Sequence, residues 1–428
     1  MGGYGWLWVV MGGYGRLWVV MGSMKRIVVL YLLVTCFCLG AWSQQRTVVG
    51  GTVVSYATGQ PLAGVSVTGG NQTVVTNDDG YFQLKTDTEL SNIVVSHVGY
   101  RSVKVEGDDL KAENGLHIRL QPTTIQLQEV LVVALDARGI LNAAIRKIPK
   151  NYSQSPELFH CFYRETVMKR QHHIMVAEGV VDMYKTTYGH TARRDRVAIR
   201  KGRRLLSPRK ADTLSVKVTG GPVTPVQLDV VKNLDLLLNE QDLDCYDMTL
   251  ETPTTIADRS QYVVAISPRC VMPYALYYGK FYIDQETLAF TRAELSLDMG
   301  DREKATRMML VRKPAGVRFR PKELSLLIDY RTDGNVTRIS YVRTDFRFNC
   351  DWRRRLFATS FAACCEMAVT SRDEGQAQPI SGRESFDQHD AFFDKVDYFR
   401  DPDFWQDYNI IEPTMSLDRA INRLLKKH

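Results

Sequence analysis

Gly51-Thr-Val-Val-Ser-Tyr-Ala-Thr-Gly-Gln-Pro61-Leu-Ala-Gly-Val-Ser-Val67, followed by Thr76-Asn-Asp-Asp-Gly80-Tyr-Phe-Gln-Leu84, decides the first part of the fold. Short runs of β-formers separated by Gly, Pro, Asn and Asp turns read as a β-sandwich. Asp79-Gly80 supplies a tight turn, because glycine accepts positive φ. Leu62, Val65 and Val67 are expected on the inner face. Tyr81–Leu84, Ile93–Val95, Ser102–Val105 and Leu116–Leu120 supply further strands, and the module ends near Pro122.

Upstream, residues 1–23 open with a ten-residue direct repeat, too short for a solenoid. They read as a spurious or non-native extension ahead of a working start at Met24. Residues 24–43 then have the plan of a secretory signal peptide: Lys25-Arg26, an apolar run from Ile27 to Gly40, and small residues Ala41 and Ser43 before Gln44. Neither Cys36 nor Cys38 has the small residues before it that a lipid anchor needs. The expected product is exported, to the periplasm or the periphery of an outer membrane.

Composition excludes some classes. The leader carries Arg16, Lys25 and Arg26 and no acid, leaving 52 basic residues against 48 acidic ones. That mild excess gives no reason to expect nucleic acid. Six cysteines lie beyond the leader, sparse and irregular, so a disulfide scaffold is not implied. Adjacent Cys364 and Cys365 should face opposite sides of a strand.

Residues 123–158 read as a connecting strand (Thr123–Val133) and a helix. Asp136 is placed to cap that helix, Ile140, Leu141, Ala144, Ile145 and Ile148 form one stripe, and Pro149 should stop it. Residues 159–428 are strand-rich: Cys161–Met168, Ile174–Tyr184, Tyr262–Ile266, Tyr277–Ile283, Phe290–Leu297, Leu324–Tyr330, Ile339–Phe348 and Phe357–Val369. Short turns such as Asp284–Thr287 and Thr332–Asn335 require antiparallel pairing. A helix is expected over Val226–Leu238 after Pro225. Another, capped by Ser416 and running to Lys427, buries Leu417, Ile421, Leu424 and Leu425. The fold class is mainly β: a β-sandwich at 44–122, then a large curved antiparallel sheet with a few helices (α+β). Charges on many strands and a basic terminal helix argue against an integral membrane barrel.

Val49-Gly50-Gly51-Thr52-Val53-Val54, Gly59–Val67, Thr76–Phe82 and His97-Val98-Gly99-Tyr100 together resemble the carboxypeptidase regulatory-like domain, a transthyretin-like sandwich of Bacteroidota envelope proteins. The resemblance implies an accessory module beside varied partners. Phe162-Tyr163-Arg164-Glu165 and Asp401–Pro413 resemble the uncharacterised region that accompanies it. Phe281–Thr287 with Arg292–Leu295 is similar to one hairpin of the lipoprotein-carrier half-barrel.

No chemistry follows from the family name. None of the eight histidines has a glutamate three positions on. H-E-x-x-H, paired C-x-x-C, G-x-S-x-G, the P-loop and the dinucleotide fingerprint are all missing from the sequence. The chain therefore reads as a non-enzyme without cofactor or metal. Two candidate binding features remain. The basic tract Arg193, Arg194, Arg196, Arg200, Lys201, Arg203 and Arg204, continuing to Arg209 and Lys210, would suit anionic lipid or an acidic partner, or else is a solvated strand and loop. The aromatics Tyr274, Tyr277, Tyr278, Phe281 and Tyr282 would suit a glycan, or else alternate between core and rim. The expectation is a non-catalytic envelope protein acting by binding or assembly, with an outer-membrane or periplasmic protein partner. The alternative is a periplasmic binder of a hydrophobic ligand or lipoprotein on a concave half-barrel sheet, with a hydrolase as the third and last reading.

Overall fold

Strands whose alternate residues are apolar build the first module. The structure, a computed structural model, describes residues 46–111, 115–123, 136–209, 216–353, 357–388, 390–398 and 403–426. The leader, Lys210 and all but the first residue of the strand expected over 123–133 lie outside these. The module contains β1 (Thr47–Ser55), β2 (Ser66–Gly69), β3 (Gln72–Val75), β4 (Tyr81–Thr86), β5 (Asn92–Ser96), β6 (Val103–Glu106) and β7 (Leu116–Leu120). They form two sheets, ordered β4-β1-β7 and β3-β2-β5-β6. Val53, Val65, Val67, Phe82, Leu84 and Ile93 fill the space between them, each fully buried, while Leu62 is only partly buried at the edge. Gly80 sits at φ +73°, and a Cβ there would meet the Val53 carbonyl at 2.5 Å, so the turn requires glycine.

The second part is one open sheet. Its strands are β8 (Glu157–Lys169), β9 (His172–Lys185), β10 (Arg196–Leu206), β12 (Tyr246–Ile256), β13 (Arg259–Pro268), β14 (Tyr277–Asp284), β15 (Phe290–Leu297), β17 (Val317–Asp333), β18 (Val336–Trp352), β19 (Thr359–Arg372) and β20 (Asp397–Tyr398). The order of these 11 strands is β12-β13-β14-β15-β17-β18-β19-β8-β9-β10-β20. Every neighbouring pair is antiparallel except β10 and the two-residue β20. Edges at β12 and β20 mean that it does not close into a barrel. A separate pair, β11 (Lys217–Val218) with β16 (Leu310–Arg312), lies outside it.

Both faces of this sheet are covered, for a reason visible in the period-2 pattern. On β8 the odd residues Phe159, Cys161, Tyr163 and Val167 join the main core. That face is covered by helix α1 (Ala137–Asn151), the segment 216–245 and residues 386–396. The even residue Phe162, with Val180, Tyr341 and Ala368 of neighbouring strands, packs instead against Val75 of the module and Trp405, Ile410 and Ile411. The module and the sheet belong to one unit, Val48–His428. Helix α1 carries the expected N-cap: the Asp136 carboxylate accepts from the Arg138 and Gly139 N–H groups, worth about 1 kcal/mol.

Three helix expectations are corrected. Pro149 lies inside α1, two residues before its end, where it forfeits only one intrahelical bond. The terminal helix spans Met415–Leu425 and is capped by Thr414, not Ser416. Val226–Leu238 is not a helix but a short turn of helix α2 (Thr224–Gln227), bends and a 3-10 turn at Leu234–Leu236. Asp229 explains the break. Its carboxylate, wholly buried, takes bonds from Lys185 Nζ (2.7 Å), Tyr330 OH (2.8 Å) and Tyr188 OH (3.0 Å). It also accepts the Lys232 N–H (3.3 Å), a local bond that competes with helical pairing. Two further short helices follow, α3 (Glu240–Leu243) and α4 (Arg302–Met309), before the terminal α5 (Met415–Leu425). Strand β12 was not anticipated, and β10 falls on the basic tract, where a strand and loop was the alternative reading.

Candidate functional site

Phe162-Tyr163-Arg164-Glu165 sits mid-strand in β8, so alternation sends its four side chains to both faces. Phe162 and Arg164 face the module side. Phe162 meets Trp405 edge to face at 5.6 Å. Arg164, 3% exposed, donates through Nε to Glu178 (2.8 Å), through Nη1 to Glu366 (3.3 Å) and through Nη2 to the Ile411 carbonyl (2.5 Å). Glu178 also accepts from Arg203 Nε and Trp405 Nε1, each at 3.0 Å. Burial would raise the Glu178 carboxyl, but Arg164 and Arg203 outweigh it and hold it below its ordinary value. This latch ties the stretch 403–413 to the sheet. The module is held by the same stretch: Asn409 accepts the Lys85 N–H (2.8 Å), and Asn77 Nδ2 donates to the Glu412 and Pro413 carbonyls.

Tyr163 and Glu165 point the other way, into the covered face. There, strands β8, β9 and β19 and the segments 216–221, 311–312 and 390–394 line an open-mouthed cavity of about 580 Å³. Val167, Ile174, Val216, Val218, Ala363 and Phe392 give it an apolar wall, and Glu165, Lys217, Arg312, Asp390 and Asp394 also reach its lining. Glu165 is the most buried of these charged groups. It is 8% exposed, and its Oε1 accepts from Tyr163 OH (2.6 Å) and the Gly221 N–H (2.7 Å). Burial pushes the carboxyl up, and Tyr163, Gly221 and Lys217 pull it partly back. Gly221 has φ +92°, and a Cβ there would press on the Phe386 ring at 2.9 Å. Cys365 lies directly across from Glu165 in the sheet, and burial pushes its thiol well up, away from the thiolate a nucleophile needs.

A second cleft, about 770 Å³, lies between the module and the opposite face. It is charged: Arg343 pairs with Asp78 and Asp345 (2.9 Å each), and Tyr341 bonds Glu366 (3.1 Å). Those charges are engaged with one another, whereas the first cavity offers apolar wall. Among the described residues no cluster of His, Cys, Asp and Glu could hold a metal.

The basic tract does not form one surface. Arg193, Arg194, Arg196, Arg200 and Arg209 are exposed, with Arg200 paired to Asp182. Arg203 is buried against Glu178, so it is corrected from a ligand-facing to a structural residue. Lys201 Nζ donates to the Phe404 carbonyl (2.8 Å) and Arg204 to that of Phe393. The aromatics are also divided. Tyr277 and Phe281 are in the main core, Tyr282 is 9% exposed on the other face, and Tyr278 is exposed. Tyr274 lies before the strand and donates to Asp242 (2.6 Å). They make no common stacking platform. Glu165 was missed as a site residue. Its signal was a carboxylate in the inward phase of Phe159, Cys161, Tyr163 and Val167.

Residues 49–132 match the family model of the CarboxypepD_reg-like domain. No curated protein matches the chain. Among solved structures, the chain is similar to a DUF1329 family protein from Desulfovibrio piger, at 10% identity over 56% of this chain and 95% of that one, TM-score 0.23. It is also similar to a LolA superfamily protein from Nitrosomonas europaea, at 13% identity over 55% and 94%, TM-score 0.20. A third is an outer membrane lipoprotein-sorting protein domain from Vibrio parahaemolyticus, at 9% identity over 56% and 93%, TM-score 0.24. At such values no function is carried across.

Proposed function

We propose that this chain is a non-catalytic binding protein of the cell envelope, and that its large sheet holds a hydrophobic ligand. The observation that carries this is the cavity of about 580 Å³ walled by Val167, Ile174, Val216, Val218, Ala363 and Phe392. Its size falls within the range of about 300–1,000 Å³ usual for small-molecule sites, which are mostly apolar with a few placed polar groups. Of its polar groups, Glu165 is tied by two donors and the Cys365 thiol is held protonated, while Lys217, Arg312, Asp390 and Asp394 add charge to the lining. The module and residues 403–413 brace the opposite face. Export rests on the signal-peptide pattern at 24–43; among the described residues no helix is long and apolar enough to cross a membrane.

The test is a chain-length series. A fluorescent naphthylamine probe is displaced by straight-chain alcohols of increasing length. Each buried methylene is worth about 0.8 kcal/mol, so affinity should rise about fourfold per carbon until the cavity is full. Ala363→Phe, which narrows the cavity from one wall, should weaken probe binding and shorten the chain length at which affinity stops rising. A native chain that shows no saturable probe binding would refute the proposal.

A further inference from the structure

At the base of the β12–β13 hairpin, Cys245 immediately precedes β12 and Cys270 follows β13. The last pairing of the two strands sets Tyr246 opposite Pro268. Beyond it the Arg269 N–H donates to the Cys245 carbonyl (2.9 Å), so the two chains stay side by side for one more step. Paired antiparallel chains sit about 4.5–5.5 Å apart, within the Cα separation of about 4.4–6.8 Å that a disulfide spans. Regular alternation would turn Cys245 and Cys270 to opposite faces. The chain bends at Cys270 instead, and Met272 Sδ comes to 3.7 Å from Cys245 Sγ. Cys270 thus lies between two residues, Arg269 and Met272, that both touch Cys245. Its thiol and that of Cys245 are in hydrogen-bond contact. Nearby bonds fix both sides: Arg269 Nε donates to the Asp244 carbonyl (2.9 Å) and Tyr274 OH to Asp242 (2.6 Å). Unlike the buried Cys161, Cys350 and Cys365, Cys270 is exposed and Cys245 partly so.

We propose that Cys245 and Cys270 form a redox site: in an oxidising compartment they join as a disulfide that clips the base of the β12–β13 hairpin at the edge of the large sheet. The compartment rests on the export proposed above; the chemistry of the pair does not. The oxidant is the disulfide of a small thiol or of a dithiol protein. The exposed Cys270, as thiolate, attacks one sulfur of that disulfide and expels one thiolate. The Cys245 thiolate then attacks Cys270 Sγ, which forms the Cys245–Cys270 bond and expels the second. The pair loses two protons and two electrons, and the oxidant takes up both to become two thiols. The bond secures β12, an edge strand, and edges are the part of a sheet most open to unwanted pairing. It also steadies Leu243 and Asp244, to which Arg138 of α1 donates (2.7 and 2.8 Å).

The purified, reduced chain is incubated with oxidised glutathione, blocked by alkylation and mapped by mass spectrometry without reduction. Cys270, open to alkylation in the reduced chain, should lose that label together with Cys245, and their two peptides should be found joined with two hydrogens missing. Cys245→Ser should halt at the first step and keep glutathione on Cys270, at about tenfold the level in the native chain. The native map decides even if the variant does not fold. Glutathione persisting on Cys270 of the native chain, Cys270 joined to a second chain, or both thiols still alkylated after the oxidant would each overturn the proposal. A pair that closes with glutathione but is reduced in chain recovered from the cell envelope would overturn the oxidising setting and leave the site standing.

Discussion

Replacing Glu178 with alanine removes the acceptor shared by Arg164, Arg203 and Trp405. Glu178 is 1% exposed, and both guanidinium groups are nearly as buried. Removing one partner of a buried ion pair costs about 3–5 kcal/mol, because the charge left behind is unpaired. Arg164 retains Glu366 at 3.3 Å and the Ile411 carbonyl, and Arg203 loses its bond to Glu178 while keeping its place over the Phe404 and Trp405 rings, so the lower part of that range applies. Unfolding entropy of about 2.1 cal/mol/K per residue, over the roughly 380 residues of Val48–His428, gives ~0.8 kcal/mol/K. The melting temperature should therefore fall by about 4 °C, read by calorimetry at neutral pH. Because Arg164 and Arg203 depress the Glu178 carboxyl, its contribution is present above the ordinary value of 4.5 and fades as pH falls through the folded value. Glu178→Ala and the native chain should thus converge in acid. Limited proteolysis should cut within 403–413 sooner in the variant. Glu106→Gln is the control: its pair with Lys104 is more than half exposed, and it should move stability by no more than ~0.5 kcal/mol. A melting shift for Glu178→Ala no larger than that of the control would show that the latch is not formed.

Three other outcomes are expected. His160 bridges Asp182 and Asp373 at 2.8 Å each; the Asp182 bond lifts its pKa, against burial, to about 9. Its stabilisation is then full below the unfolded value of 6.5 and lost as pH rises through 9, so His160→Gln should flatten melting temperature between those limits in a pH series. Gly179 and Gly202 face each other across β9 and β10 and leave a flat seat for Phe392 and Val396, so Gly202→Ala should cost about 1–3 kcal/mol in urea unfolding. Alkylation mapped by mass spectrometry should label exposed Cys270 in the native chain but Cys161 and Cys365 only after unfolding, since both are buried and their thiols pushed up.

The legible parts of this fold were local. Alternation along β8, β9, β14 and β18 and the Asp136 cap depend on neighbours within a few residues, and all could be read before any contact was known. What could not be read depends on distant partners. The run from Arg193 to Arg204 looked like a solvated surface because nothing nearby in sequence announces that Glu178 neutralises Arg203, 25 positions away. Val226–Leu238 looked helical from its apolar content, but Asp229 is committed to Lys185 and Tyr330, 44 and 101 positions away. The cavity itself was invisible, since its walls come from three strands and covering segments. Only Glu165 left a trace, as one acid in the inward phase of an apolar strand.

The most direct measurement is photocrosslinking with a straight-chain alcohol carrying a diazirine along its chain, followed by peptide mapping. Adducts should concentrate on the cavity walls, at Val167, Ile174, Ala363 and Phe392, and should vanish when excess 1-dodecanol competes. Adducts spread over the exposed surface, or confined to the charged cleft around Arg343 and Glu366, would contradict a hydrophobic ligand held beneath the sheet.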